Sequence, residues 1–293
     1  MRSRWATLVG AIASVVPAAA RAEAPLVEPT FVAVPARAAL GSAVEVTYTW
    51  TTAAAFKAPG RGYRAVLQVR DDHDALLFSD DHAPQPAPET WRPDRTYTYR
   101  RTFFVPVYPY IGPASVFLDL LPPADDATGV QAVTARFKVA TLELLPQVEN
   151  IFVVYKDGWH TPEITPGRPD LERTWTKREA VATFKNPRKD LVIYLEADTD
   201  AKAFARPPVL TLTVGQRRVA TIPIKDSHLF LEKVNVGTAV LGDAEWVDLH
   251  ISMNGSFTRP GEPEPRELGL RVSHLYVGEA SRYAGAPSPS PHR

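Results

Sequence analysis

In the stretch Val44-Glu-Val-Thr-Tyr-Thr-Trp50, apolar and polar side chains alternate. Because successive side chains of a β-strand point to opposite faces, this pattern predicts a strand with one buried and one solvated face. Similar short runs recur along the chain, separated by turns rich in proline and glycine, and none shows a sustained helical period. Proline is frequent, with 28 residues against 16 glycines. Because proline breaks helices and is tolerated in turns and at strand edges, the chain is predicted to be all-β.

The strand-like runs fall into two groups, which predict two consecutive β-sandwich domains. Runs between Phe31 and Val139 predict an immunoglobulin-like sandwich over residues 25–147. Runs between Ile151 and Val277 predict a second, jelly-roll-like sandwich over residues 148–280, with a hairpin turn at Gly215. The Pro/Ser-rich residues 281–293 predict a disordered tail.

Residues 1–22 have the features of a secretory signal peptide. Arg2 and Arg4 precede a short apolar run, and Ala20-Arg-Ala22 forms a small-residue cleavage site before Glu23. The apolar run is too short to span a bilayer, and no other run approaches the required length of about 18 residues. The sequence therefore predicts a periplasmic or secreted protein with a cleaved signal peptide, no lipid anchor and no transmembrane segment in the mature chain.

Composition excludes several classes of chemistry. The chain has no cysteine, which rules out disulfides, thiol catalysis and cysteine-ligated metals. Formal net charge is zero, and removal of the leader's three arginines leaves 30 basic against 33 acidic residues. Neither nucleic acid nor an anionic membrane surface is an expected partner of such a chain.

Catalytic motifs are also missing from the sequence. It contains no G-x-S-x-G nucleophile elbow, no H-E-x-x-H zinc motif and no glycine-rich phosphate loop. A pair of carboxylates for glycoside hydrolysis stays open, because the fold and not local spacing sets such pairs. We therefore expect no enzyme, with an enzyme acting on envelope polysaccharide as the alternative.

The first candidate site is an aromatic and charged segment that opens the second half of the chain. Its members are Trp159, His160, Glu163, Trp175 and Arg178, with a Pro-rich loop between His160 and Trp175. As a sugar platform, the rings would stack on sugar C–H groups while the charged groups bond hydroxyls. The alternative is a structural corner, with Trp175 as a buried lid and Arg178 paired with Glu163 or Glu179.

The second candidate site lies on a predicted strand that starts at Trp246. A period of two places Trp246, Asp248 and His250 on one face and the intervening aliphatic residues on the other. The aliphatic face belongs to a core. The Trp246, Asp248 and His250 face is either a binding face, a solvated face or a contact between the two domains.

Acidic residues near the first domain's Ala75–Phe78 run are candidate metal ligands. Asp72, Asp74 and Asp81 each have the oxygen chemistry that Ca²⁺ prefers. Asp81 is separated from the other two by a strand about 13 Å long, so the three cannot share one ion unless that strand bends. The alternative for residues 71–74 is a polar turn, in which Asp bonds its own backbone. No other cofactor is expected.

Several short motifs carry a family resemblance. They include Trp159, the Thr174-Trp175-Thr run, Asn186-Pro187, Pro207-Pro208 and Arg266-Glu-Leu-Gly269-Leu-Arg-Val272. With these motifs, residues 150–279 resemble the accessory β-sandwich domains that are appended to some bacterial membrane glycosyltransferases. The first half is similar to such modules in Asp80-Asp81-His82-x-Pro84. The resemblance implies a sandwich fold and an association with envelope glycans; no membrane-embedded catalytic part accompanies it here.

Together these observations predict an exported, non-catalytic binding or structural accessory protein of the bacterial envelope. Its expected partner is a polysaccharide or an envelope protein. An enzyme would instead require a deep pocket that holds two or more inward carboxylates. An assembly factor that works by strand addition would require a long, unpaired edge strand without proline or lysine.

Overall fold

A computed structural model describes residues 26–107, 110–123, 136–165, 168–259, 261 and 265–284, without the side chains of residues 165 and 168–171. The predicted signal peptide, the start of the predicted strand Val133–Val139 and residues 285–293 of the predicted tail lie outside this part. Within it the chain is all-β, with two β-sandwich domains.

The first sandwich has the strand order of an immunoglobulin-like domain. Its strands are β1 (Val27–Val34), β2 (Arg37–Ala39), β3 (Ala43–Thr52), β4 (Arg64–Arg70), β5 (Leu76–His82), β6 (Thr96–Phe104), β7 (Gly112–Leu121) and β8 (Phe137–Leu145). One sheet has the order β1-β3-β6, and the other has the order β2-β8-β7-β4-β5, with β2 parallel to β8. Short 3₁₀ helices occur at Pro88–Thr90 and at Gln147–Glu149.

The alternation in β3 organises the first core, as its sequence predicts. Val44, Val46, Tyr48 and Trp50 are buried, whereas Glu45 and its alternate neighbours lie on the outer face. Burying each large side chain stabilises the fold by about 1.5–3 kcal/mol.

The second sandwich is a jelly roll. Its strands are β9 (Val153–Tyr155), β10 (Glu163–Thr165), β11 (Arg168–Trp175), β12 (Glu179–Lys185), β13 (Leu191–Asp198), β14 (Val209–Val214), β15 (Arg217–Pro223), β16 (Phe230–Val236), β17 (Trp246–Met253) and β18 (Arg271–Glu279). From β11 onward the chain crosses repeatedly between sheets β10-β11-β18-β13-β16 and β15-β14-β17-β12-β9. This interleaved order is the double Greek key of a jelly roll. A one-turn helix, Thr238–Leu241, and a 3₁₀ helix, Ala201–Ala203, lie in its loops.

Three features differ from the sequence expectations. The segment from His160 to Trp175 is not a Pro-rich loop, because it forms the hairpin of β10 and β11, and Trp175 ends a strand instead of preceding one. Strand β2 was not predicted. The tail was predicted to begin too early, because Ala280–Tyr283 form a 3₁₀ helix and Tyr283 is buried.

The two sandwiches contact each other through one sheet of the jelly roll. Tyr194, on the outer face of the β10-β11-β18-β13-β16 sheet, donates a hydrogen bond to Glu45 of β3 (2.7 Å). The Tyr283 hydroxyl donates to the carbonyl of Ala43 (2.8 Å), and the rings of His274 and Phe104 stack with centroids 4.2 Å apart. These contacts place the outer face of the β10-β11-β18-β13-β16 sheet against the first domain.

Candidate functional site

Trp159 anchors the start of the aromatic segment. Its ring stacks on Tyr155, with centroids 3.9 Å apart and an interplanar angle of 5°. Its indole Nε1 donates a hydrogen bond to the carbonyl of Val181 in β12 (2.8 Å). One ring face is therefore covered, and the residue is half-buried against the edge of the sandwich.

His160 and Glu163 contact neighbouring segments of the second domain. The His160 backbone N–H donates to the Trp175 carbonyl (2.9 Å), and its Nε2 lies 2.6 Å from the Glu267 carbonyl. Glu163 pairs with Arg266 at 2.7 Å, and not with Arg178. These contacts fasten the β10 region to the chain segment that leads into β18.

Trp175 is a packing residue, which is the structural alternative for this position. It is 1% exposed and meets Phe257 edge-to-face at 5.8 Å. The Arg271 guanidinium lies 5.3 Å from its ring centroid. Because its ring is covered, it cannot stack on an external sugar. Arg178 is exposed between β11 and β12, so the five residues do not form one platform.

On β17 the predicted alternation is confirmed. Val247, Leu249 and Ile251 are buried at 3%, 0% and 0% exposure, and Trp246 is 52% exposed. Asp248 and His250 are half-buried on the same outer face as Trp246. That face belongs to the β15-β14-β17-β12-β9 sheet, and the exposure of Trp246 argues against a domain contact at this residue.

The opening segment reaches this face through Lys156. Its Nζ lies 2.9 Å from Asp248 Oδ1. Hydrogen bonds from Lys156 and from the Thr183 hydroxyl lower the pKa of Asp248 below its ordinary value, although partial burial opposes them. The lowered pKa keeps Asp248 ionised beside Lys156. Sequence reasoning missed Lys156 and Thr183, because the pairing of β9 with β12 and of β12 with β17 brings them to Asp248.

We call this surface the Trp246 face, defined by Trp246, Asp248, His250, Lys185, Thr183 and Thr213. Cross-strand pairing sets Lys185 opposite Trp246, Thr183 opposite Asp248 and Thr213 opposite His250. From Trp246 to His250 the strand spans about 13 Å. The arrangement places the exposed Trp246 ring at one end of a row of polar side chains, of which Thr183 is buried.

The candidate calcium ligands do not converge. Asp74 pairs with Arg136 (2.6 Å), and Asp81 pairs with Arg64 near the opposite end of β5. Asp72 Oδ1 lies 2.8 Å from His73 Nδ1. The Asp71 carboxylate accepts hydrogen bonds from the backbone N–H groups of His73 and Ala75, which is the turn geometry of the structural alternative. Asp71, Asp72 and His73 do lie close together.

A buried polar cluster in the first domain was not predicted. His82 is 3% exposed; its Nε2 lies 2.8 Å from the Tyr99 hydroxyl. Its Nδ1 lies 2.9 Å from Asp80 Oδ2 without the alignment of a hydrogen bond. Burial lowers the pKa of His82. The pKa of Asp80 is also lowered, because the interactions of its carboxylate with His82 and Arg101 outweigh its burial. The cluster closes the side of the sandwich between β5 and β6.

No helix in the described ranges has the length and apolar character needed to cross a membrane. No protein-family model matches the chain, and no curated protein matches it.

Solved structures share low similarity with the chain. The secreted serine protease VesC from Vibrio cholerae is 10% identical over 83% of this chain, with a TM-score of 0.24. The chain spans about half (49%) of VesC. The N-terminal CBM22 tandem domain of a Paenibacillus barcinonensis protein is 8% identical over 85% of this chain and 93% of its own, with a TM-score of 0.29.

Tandem CBM51 modules from a Streptococcus pneumoniae family 98 glycoside hydrolase are 11% identical over 81% of this chain and 84% of their own, with a TM-score of 0.27.

Proposed function

We propose that the chain is an exported, non-catalytic accessory protein of the bacterial envelope, and that its Trp246 face binds polysaccharide. The observation that carries this proposal is Trp246 itself, a large ring that is 52% exposed on a regular strand. A ring of this size normally buries most of its area. The signal-peptide pattern and the resemblance to accessory domains of glycosyltransferases support the envelope location.

The chemistry of the Trp246 face fits a sugar chain. The indole presents an apolar surface to sugar C–H groups, while Lys185, His250 and Thr213 supply donors and acceptors for hydroxyls. Asp248 pairs with Lys156 and adds a carboxylate acceptor beside these groups. An exposed aromatic ring beside polar side chains is the form expected of a binder.

The decisive experiment compares Trp246→Ala with the unchanged chain on a glycan array and in pull-downs with envelope polysaccharide. We expect the affinity of Trp246→Ala for a saccharide that the unchanged chain binds to fall at least tenfold. This corresponds to about 1.4 kcal/mol of binding free energy. Because Trp246 is half exposed, the melting temperature should stay nearly the same. Val32→Ala, which truncates a 60% exposed side chain in the first domain, is the control for loss of exposed apolar area.

Two outcomes would contradict the proposal. One is retention of saccharide binding by Trp246→Ala. The other is the absence of any bound saccharide for the unchanged chain. Trp175→Ala is a comparison in which stability changes instead of binding. It leaves a buried cavity and should cost about 3–5 kcal/mol of stability.

A second candidate function, strand addition, is favoured by β6. It is an edge strand of the β1-β3-β6 sheet and has nine residues, Thr96–Phe104, without proline or lysine. The β6 amides and carbonyls on the side away from β3 are the groups to which an extended peptide would bond. Hydrogen exchange checks this idea: the β6 amides that are not bonded to β3 should become protected on addition of such a peptide, and unchanged exchange would exclude it.

A further inference from the structure

Two loops of the jelly roll enclose a cleft of about 770 Å³. The first loop, residues 200–208, joins β13 to β14, and the second, residues 224–228, joins β15 to β16. The cleft lies beyond the Met253 end of β17. Trp246 is at the other end of that strand, about 23 Å away. The cleft is therefore separate from the Trp246 face, and its volume is in the range of small-ligand sites.

Contacts between the two loops and beneath them hold the cleft in shape before a ligand binds. The Ala201 backbone N–H donates to the Ser227 hydroxyl across the cleft (3.0 Å). Phe204 packs edge-to-face on Phe257, with centroids 5.3 Å apart, and joins the cluster around Trp175. Because the loops are fastened to each other and to the core, a ligand would not have to order them, and that lowers the entropic cost of binding.

The walls of the cleft combine an apolar floor with a cationic rim. Phe204, Pro208 and Ile224 provide the floor. Lys202, Arg206 and Lys225 stand on the exposed rim. Within the described ranges, the side chains of Lys202 and Arg206 have no hydrogen-bond or ion-pair partner. Their charges are available to a ligand.

The acidic groups of the cleft only partly offset these cations. Asp226 accepts a hydrogen bond from the His228 backbone N–H (2.9 Å) and lies 2.9 Å from His228 Nδ1. These hydrogen bonds lower the pKa of Asp226, which keeps it ionised and occupied with its own loop. Asp200 balances one further charge, so the rim retains a positive excess. Arg206 adds a planar guanidinium that can bind a carboxylate or phosphate with two parallel hydrogen bonds.

We propose that this cleft binds a small anionic ring, namely a sugar unit that bears a carboxylate or a phosphate. The apolar floor accepts the body of the ring, and Lys202, Arg206 and Lys225 bind the anionic group. This site does not depend on the Trp246 face, and each has its own ligand contact.

The test is a calorimetric and NMR titration of the chain from Glu23 onward with three probes: glucuronate, glucose 6-phosphate and neutral glucose. We expect saturable binding of at least one anionic probe, weakened by added salt because the contact is ionic, and no binding of glucose. The two anionic probes distinguish a carboxylate from a phosphate ligand. Lys202→Gln/Arg206→Gln should weaken binding at least tenfold.

A matched control carries the same charge change at exposed positions elsewhere. Lys138→Gln/Arg217→Gln removes two cations from the first domain and from the far hairpin, and it should bind like the unchanged chain. Three results would overturn the proposal. They are no saturation by either anion below about 10 mM, equal binding of glucose, and equal binding by the two double variants. Trp246→Ala should leave this binding intact, so failure here and failure of the Trp246 face give different results.

Discussion

Gly158 lies where the chain passes closest to β12. Its φ is +83°, and a Cβ placed on it would stand 2.0 Å from the Glu179 carbonyl oxygen and 2.7 Å from the Ala180 Cα. Both of these neighbours are backbone atoms, so no side chain can rotate away. The segment that begins with Tyr155 can follow β12 only because residue 158 has no side chain.

We therefore expect Gly158→Ala to lose several kcal/mol of stability, because it combines strain at positive φ with a backbone clash. Gly215→Ala is the matched control: its φ is +57°, yet nothing lies within 4 Å of the added Cβ. That control should lose only about 1–2 kcal/mol. Urea unfolding of both variants measures the difference, and equal losses would refute the clash.

His82 predicts a pH dependence of stability. Burial lowers the pKa of His82 in the folded chain, whereas an unfolded histidine titrates near 6.5. Below about pH 6.5 the unfolded chain binds a proton that the folded chain does not, so the unfolding free energy falls as pH falls towards the folded pKa. Above about pH 6.5 this contribution to stability is fully present.

Urea unfolding at pH 7.5 and 5.5 checks this expectation. His82→Gln should reduce the fall in stability between the two values, whereas His250→Gln should not. An unchanged fall in His82→Gln would show that the proton binds elsewhere. Asp80 does not act in this window, because its pKa is lowered from 3.8.

At the scale of elements, Asp198 joins three strands. It receives two hydrogen bonds from Arg271 of β18, both 2.8 Å long, and lies 3.5 Å from Arg173 of β11. The Asp198 side chain is 6% exposed. Loss of the Asp198 carboxylate would leave the partly buried Arg271 and Arg173 guanidinium groups without their counter-ion.

We expect Asp198→Asn to cost about 2–3 kcal/mol. This is below the loss for a fully buried pair, because the Arg271 side chain is 30% exposed. Glu245→Gln removes a carboxylate whose pair with Lys185 is about 70% exposed on both sides, and it should change stability by less than about 0.5 kcal/mol. Thermal unfolding of the two variants makes the comparison; similar shifts would contradict it.

The sequence predicted those strands whose alternation of apolar and polar residues is set within the strand itself. Alternation placed Val44 to Trp50 and Trp246 to Ile251 correctly, because a strand's two faces depend only on its own residues. Strand β2 was missed because its three residues are extended by pairing with β8, more than 100 positions away. Strand β11 was missed because Pro169 and charged residues hide its pattern. The pairs Glu163–Arg266 and Lys156–Asp248 depend on topology, so their partners were beyond sequence reasoning.

At the scale of the whole molecule, Glu45 couples the two sandwiches. Its Oε1 accepts hydrogen bonds from the Tyr194 hydroxyl (2.7 Å) and from Lys233 Nζ (2.6 Å). The Glu45 and Lys233 side chains are only 19% and 22% exposed. Removing the carboxylate would leave a hydroxyl and an ammonium without their partner inside the contact.

Calorimetry should therefore show one unfolding transition for the unchanged chain and two for Glu45→Ala/Tyr283→Phe, since this double variant loses three hydrogen bonds between the sandwiches. Each lost bond is worth about 0.5–1.5 kcal/mol, and more for those to charged groups. Glu28→Ala, on the exposed surface of β1, should retain one transition. A single, unshifted transition in the double variant would show that the apolar contact alone couples the domains.

The unequal exposure of the tryptophans gives the Trp246 face its own optical signal. Trp50, Trp91 and Trp175 are at most 2% exposed, and Trp159 is covered on one face by Tyr155, whereas Trp246 is 52% exposed. Among these five tryptophans, acrylamide should therefore quench Trp246 first and remove the long-wavelength part of their emission; Trp5 belongs to the predicted signal peptide, outside the described residues. A saccharide stacked on the Trp246 face would protect that component and shift the emission to shorter wavelength, so the unlabelled chain reports its own occupancy.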